Sequence, residues 1–581
     1  WSDVSSSENL ASIRGSAIAS FVERDGADLI IGDGGLVDLS LLVSSPETAV
    51  SLTLTGDGSS DVIRAGGFAD RVYGGKGDDN IRGGSGNDTI YGEDGRNVIY
   101  GGADNDTIYG SDLPDELYGD GGNDWIYGEG GDDYIQGDDD DDKLFGGFGA
   151  DKIVGNAGND SLRGGGEGDE LFGGAGNDYL DGDFGDDILF GDTDGRPGVT
   201  LSAGDFGNDE LVSTYGTDVL DGQAGSDDYV VNFIGGTADR LVTTFDSGNA
   251  ATGPDNLTIN GSVSVSYDDT GLIRSEVFRG EPGPDDGESR GPQVGDDNFL
   301  LRANPNRTDG LAFVALLGKD AALAAANQAL ADAQEALDSG DSNASQAKVD
   351  AARDLALKLA AEDSGDDYPI ERVDYTASME TLIVNSGFGR DYFALDDNRA
   401  STTINGGSGN DVFQIGQMFN LPRTNLPTEG NIQDHPNPNG PANYDTSETD
   451  IFATIETTRG FLSNGITEAT TINGGDDNDS FVVFHNKAVL SLNGDDGNDE
   501  FTVRAFALSG SQETFQERTD ISGGTDADLV QYAVNAPVDI DGGDGEDTVR
   551  VIGTEFGDDF IVAKDGVFGV GVNVTYTNVE G

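Results

Sequence analysis

The sequence predicts a mainly β protein, a solenoid of very short strands and tight turns with one inserted antiparallel helical hairpin. Three observations carry this expectation. Residues 56–190 divide into fifteen consecutive nonapeptides without one insertion or deletion. Glycine and acidic residues crowd the first six positions of each nonapeptide, and one aliphatic side chain recurs at the eighth. A single Ala- and Leu-rich stretch, residues 319–363, has helical spacing instead.

The chain opens with lead-in strands over residues 1–55, where an outlying repeat, residues 23–31, places Asp28 at its sixth position. In the nonapeptide block, position 1 is Gly in fourteen repeats and Ala65 in the other. Position 6 is occupied by Asp61, Asp70, Asp79, Asp88, Asn97, Asp106, Asp115, Asp124, Asp133, Asp142, Asp151, Asp160, Asp169, Asp178 and Asp187. Position 8 is aliphatic throughout, from Ile63 to Leu189. After a slip near Arg196-Pro197, three more repeats place Asp209, Asp218 and Asp227 at position 6, which extends the block to residue 230.

A period of nine is too short for a helix pair, and glycine at this density costs a helix ~1 kcal/mol per residue. Positions 1–6 must therefore turn, often with positive φ. Positions 7–9, such as Thr89-Ile90-Tyr91, form a three-residue strand whose middle side chain points inward. Two turns and two strands make a coil of eighteen residues, and stacked coils form parallel sheets.

Such a stack does not fold by burial alone. One inward aliphatic contributes ~2 kcal/mol, whereas ordering nine residues costs ~1–2 kcal/mol each. Charge opposes folding further: 581 residues carry 110 Asp and Glu against 31 Lys and Arg, a formal net charge of −79. Either the chain is disordered or something positive folds it. Turn carbonyls and an Asp carboxylate offer the roughly six to eight oxygens that Ca²⁺ takes, a geometry too loose for Mg²⁺.

Gly83-Gly84-Ser85-Gly86-Asn87-Asp88-Thr89-Ile90-Tyr91 and Gly173-Gly174-Ala175-Gly176-Asn177-Asp178-Tyr179-Leu180-Asp181 resemble the G-G-x-G-x-D-x-U-x repeat of RTX (haemolysin-type) calcium-binding proteins. The resemblance covers roughly residues 56–230. It implies a right-handed parallel β-roll with Ca²⁺ between successive turns and side-chain oxygens from the position-6 Asp residues. It also implies a secreted, surface or adhesin-like bacterial protein that is disordered at cytosolic Ca²⁺ and folds outside the cell. Departures weaken individual turns: Asn97 removes a charge, Leu113-Pro114 replaces a turn glycine, and Phe68 and Glu167 displace glycine at position 4.

Residues 231–318 read as irregular β-solenoid coils, and residues 364–581 as a wider solenoid with sparse calcium turns. Those turns end at Asp391, Asp411, Asp479, Asp499, Asp528 and Asp547, with a degenerate copy at Asp558. The spacings 391→411, 479→499 and 528→547 approximate one coil, and β-branched and aromatic runs such as Thr470-Thr471-Ile472 and Phe481-Val482-Val483-Phe484 flank the turns. Asn- and Pro-rich residues 416–465 read as a long loop. In the hairpin, Leu323, Leu330 and Leu337 precede Asp338-Ser339-Gly340-Asp341, and Val349, Leu355 and Leu359 follow it. Tyr576-Thr577 with Val579-Glu580 echoes Tyr375-Thr376 with Met379-Glu380, so the array is expected to continue past Gly581.

The acid excess argues against nucleic-acid partners and anionic membrane surfaces. The longest apolar run in mid-chain, residues 310–318, is far short of the roughly 20 residues of a membrane span. There is no Cys, and His435 and His485 stand alone, with no H-E-x-x-H and no G-x-S-x-G elbow. The expectation is a non-enzymatic, extracellular, calcium-binding structural protein that folds on binding several Ca²⁺ ions. A surface layer, a filament or an adhesin stalk would suit it, with self-association or other cell-surface components as partners. The alternative is the calcium-folded carrier or secretion region of a larger secreted enzyme or toxin.

Overall fold

A computed structural model describes residues 22–25, 28–31, 36–38, 53–193 (except 57), 207–233, 240–247, 254–261, 266–267, 273–274, 297–303, 312–317, 370–419 (except 377 and 417), 454–457, 460–504, 519–533, 538–552, 560–563, 566–569 and 572–579. Among the described residues there are strands and turns but no helix. The expected hairpin over 319–363 lies outside them. The chain divides into two compact units, the first formed by residues 1–230 and 242–255, the second by 231–241 and 256–581.

In the first unit the period of nine becomes two parallel sheets. Strand Thr107–Ser111 pairs in register with Trp125–Gly130, which pairs with Lys143–Phe148, so that Ile108, Ile126 and Leu144 stack in one column. Alternate repeats build the other sheet, where Leu117, Ile135 and Ile153 align through strands Glu116–Gly121, Tyr134–Asp139 and Lys152–Ala157. The position-8 side chains from Ile63 to Leu189 have no exposed surface. Thr89–Tyr91 is a three-residue strand as expected, but most strands of the block run to five or six residues. Pairing continues into the turn, as in Asp120↔Asp138 and Gly121↔Asp139, because each coil lies flat on the next and turn amides also find partners one coil away.

Position 9 faces outward and is repetitive in its own way. Tyr73, Tyr91, Tyr109, Tyr127 and Phe145 form a face-to-face stack with centroids 4.8–5.0 Å apart, which is the parallel-strand spacing itself. Across the slip near Arg196 the described strands stay in register. Glu210–Ser213 pairs with Tyr179–Asp183 through Leu180↔Leu211. At the start of the chain, Val22–Asp25 and Asp28–Ile31 pair antiparallel, and the latter then runs parallel to Thr53–Thr55.

The second unit is also mostly parallel. Ser401–Ser408, Thr470–Asp476 and Leu490–Asp496 align Ile404, Ile472 and Leu492. The facing sheet places Phe299, Phe393, Phe413, Phe481 and Phe501 in a buried stack with centroids 4.6–5.0 Å apart. In the first of these sheets Asn side chains link successive strands: Asn405 donates to Asn385, Asn473 to Asn405 and Asn493 to Asn473, at 2.6–2.7 Å. Ala312–Leu317 departs from the coil pattern, running antiparallel to both Asn298–Ala303 and Ile370–Tyr375. Residues 416–465 are not wholly loop. Met418–Phe419, Thr454–Thr457 and Gly460–Ser463 form a small antiparallel sheet, to which Thr and Ile bring strand propensity.

Because Phe413 is sandwiched between Phe393 and Phe481, Phe413→Ala is expected to cost about 3–5 kcal/mol. Urea unfolding in saturating Ca²⁺ measures this; a loss below about 1 kcal/mol would contradict a packed stack.

Candidate metal centres

Each turn is closed by glycines where side chains cannot stand. In residues 83–88, Gly84 and Gly86 have φ of 118° and 102°. Phe68 and Glu167, which stand where other repeats have glycine, keep the glycine backbone at φ of 118° and 75°, a strained conformation for residues with a Cβ, whereas Leu113 does not. At position 1 the constraint is space. A Cβ on Gly83 would lie 2.3 Å from Asp88 Oδ2 and 2.6 Å from the carbonyl oxygen of Gly101 in the next coil.

The position-6 carboxylates form ladders. The backbone N–H of each Asp donates to Oδ1 of the Asp one coil further on. One ladder runs Asp61, Asp79, Asn97, Asp115, Asp133, Asp151, Asp169, Asp187 and Asp218, with bonds of 2.5–3.1 Å. The other runs Asp70, Asp88, Asp106, Asp124, Asp142, Asp160, Asp178, Asp209, Asp227 and Asp255, with bonds of 2.6–3.0 Å. In the second unit a third ladder joins Asp297, Asp391, Asp411, Asp479, Asp499, Asp528 and Asp547 at 2.7–3.0 Å.

Oδ1 is thus satisfied, whereas Oδ2 faces the position-1 residue, in most turns a glycine. In Asp88, Asp106, Asp124, Asp133, Asp142, Asp151, Asp160, Asp169, Asp178, Asp187, Asp209, Asp227, Asp479, Asp499 and Asp528, this buried oxygen has no hydrogen-bond donor. The family model for the RTX calcium-binding nonapeptide repeat (4 copies) matches residues 55–90, 82–117, 109–144, 118–153, 136–171, 163–195, 203–231 and 401–414. These coils are RTX calcium-binding repeats. RTX repeats bind multiple Ca²⁺ ions, and proteins that carry them are typically secreted. No curated protein matches the chain.

The RTX turns of this chain suit a hard cation. Among the described residues no three acidic or His side chains converge, so each turn offers one carboxylate and neighbouring carbonyls, an all-oxygen set of the kind Ca²⁺ accepts. The space that a glycine Cβ would fill lies between these oxygens. Their electrostatics demand neutralisation. Burial pushes Asp133, Asp142, Asp169 and Asp178 up to about 9, partly offset by the backbone N–H bond and reinforced by the next carboxylates along the ladder. Asp88, Asp124, Asp151 and Asp160 rise to about 7 for the same leading reason.

The ladders also contain Asp255 and Asp297, which the repeat pattern did not single out. Asp255 follows Pro254, not a glycine turn; for Asp297, the phrase Gly295-Asp296-Asp297 was the available signal. Asp28 opens a strand paired with Thr53–Thr55, and its side chain lies outside the described residues, as does Asp558 altogether. His485 is buried just past a strand end with Nδ1 3.1 Å from the Ser463 carbonyl oxygen, and burial lowers its pKa. Among the described residues no helix is long and apolar enough to cross a membrane.

The raised carboxyls set a pH dependence for the calcium-stripped chain. An unfolded Asp titrates near ~3.9, whereas these ladder residues titrate at about 7 to about 9 when folded. Between those limits the folded state holds more protons, so stability falls as pH rises through the window and is recovered on acidification. Circular dichroism of the stripped chain is expected to show more β signal at pH 5 than at pH 9; an equal or smaller signal at pH 5 would contradict buried carboxyls.

Proposed function

We propose that this chain is a calcium-folded extracellular structural protein, a component of a surface layer, a filament or an adhesin stalk, with no catalytic role of its own. The observation that carries the proposal is the ladder of buried Oδ2 atoms facing glycine carbonyls. In this reading the position-6 Asp residues supply the side-chain ligands for Ca²⁺, and the turn carbonyls supply the rest.

Ca²⁺ binds the assembled turns and not the unfolded chain, so its binding free energy is folding free energy. One site in hundredfold excess over its Kd adds about 2.7 kcal/mol, enough for a few sites to exceed the stability of a typical domain. The ion supplies positive charge between oxygens that otherwise repel; the chain supplies preplaced oxygens and excludes water from them. A structural role follows from where the ladders lie. They run through the repeated coils themselves, so the ions maintain the scaffold along its length.

A Ca²⁺ titration followed by circular dichroism is expected to convert a disordered spectrum to a β spectrum, reversed by chelator; spectra indifferent to chelator would overturn the proposal. Asp160→Ala is expected to raise the Ca²⁺ midpoint several-fold, and an unaltered midpoint would remove the position-6 ligand assignment. Electron microscopy of the native source separates the structural role from the carrier alternative. Ordered polymers or lattices support the former, whereas isolated particles with hydrolytic activity support the latter.

A further inference from the structure

Two rungs in the first unit carry a side-chain donor of their own. At Asn97, the N–H of Asp79 donates to Oδ1 at 3.1 Å, which turns the amide nitrogen toward the cradle where Asp residues place Oδ2. A Cβ on Gly92 would lie 2.7 Å from Asn97 Nδ2 and 3.2 Å from the Gly110 carbonyl oxygen, so this nitrogen stands in the cradle itself. It donates to the Gly95 carbonyl oxygen at 3.3 Å, and Ser111 Oγ donates to the same oxygen at 2.9 Å. Asn97 and Ser111 are both buried. An amide NH₂ has hydrogens where a cation needs lone pairs, and it brings no negative charge.

The second rung is at Asp218, in Ser213-Thr214-Tyr215-Gly216-Thr217-Asp218. Here position 1 is Ser213, not glycine. Its Cβ occupies the space that is open where position 1 is glycine, and its hydroxyl donates to Asp218 Oδ2. Asp218 still accepts the N–H of Asp187 on Oδ1, at 3.0 Å. The ladder continues while the oxygen that faces a glycine in other turns is already engaged.

We propose that the rungs at Asn97 and Asp218 are closed by protein donors instead of Ca²⁺, so that the array alternates calcium-dependent blocks with built-in metal-independent rungs. This rests on position-6 ligation elsewhere in the ladders. At Asn97 the amide replaces the ion; at Asp218 the Ser213 hydroxyl does so. In a stack where each coil contacts its neighbours only, such rungs bound the cooperative blocks and retain local contacts when calcium is withdrawn.

Bound Ca²⁺ per full chain, measured by equilibrium dialysis with elemental analysis, tests this directly, with circular dichroism in saturating Ca²⁺ confirming that each variant folds. Asn97→Asp is expected to bind one more ion than the wild type, and to need more Ca²⁺ to reach half its β signal. Ser213→Gly, an independent variant on a different rung, is also expected to gain one ion. Asp124→Asn, which copies the Asn97 arrangement onto a calcium rung, is expected to lose one ion and still fold. If Asp124→Asn loses an ion but Asn97→Asp or Ser213→Gly gains none, the assignment for that rung is overturned. If Asp124→Asn leaves the stoichiometry unchanged, position-6 ligation itself fails, which is a separate outcome.

Discussion

A carboxylate oxygen buried against backbone carbonyls with no hydrogen-bond donor in reach conflicts with its surroundings. Oδ2 of Asp124 is one of many such atoms: its partner Oδ1 is held by the N–H of Asp106, so the side chain cannot rotate away without breaking a ladder bond. Protonation or a cation resolves the conflict, and at neutral pH a divalent cation does so without the free-energy cost of protonating a carboxyl. The glycines, the short strands and the thin aliphatic core are arranged around that requirement. Burying one Ile or Leu per nonapeptide is insufficient to fold a coil, and the shortfall is what makes the fold responsive to its ion.

The two units meet the same turn requirement with different fillings. In the first, Ile and Leu lie inside and Tyr rings stack outside. In the second, Phe299, Phe393, Phe413, Phe481 and Phe501 stack inside. The residue just before the position-1 glycine is Tyr91 or Tyr109 in the first unit and Asn405 or Asn473 in the second. Parallel, in-register coils place identical groups one strand spacing apart, so any side chain that interacts favourably with a copy of itself suits that station. Aromatic faces and amides both qualify; carboxylates do not, which is why the Asp residues need help.

The nonapeptide block was legible because geometry and sequence share one period: the residue that turns, the residue that ligates and the residue that packs each recur every nine positions. Legibility fell where a turn lost its glycines. Asp255 takes the same place in its ladder as Asp124 does in its own, but its local sequence does not announce it. The Asn ladder of the second unit was likewise hidden, since Asn385, Asn405, Asn473 and Asn493 are brought together by stacking and not by any fixed interval. Strand lengths were underestimated because hydrogen bonding between turns is a property of the stack, invisible in a single repeat. The small antiparallel sheet around Gly460–Ser463 was obscured by the Asn- and Pro-rich composition of the residues before it.

Successive ladder partners are most often separated by 18 residues, yet the same bond spans 31 residues from Asp178 to Asp209, 68 from Asp411 to Asp479 and 94 from Asp297 to Asp391. Closing a flexible loop of 94 residues instead of 18 costs only about 1.5 kcal/mol more in chain entropy. A corner of the coil is therefore an inexpensive place to add sequence. The ladder acts as a fixed thread, and material of almost any length can be hung between two of its knots. A protein built this way can change what it displays to its surroundings while the thread itself, and its demand for calcium, stays the same.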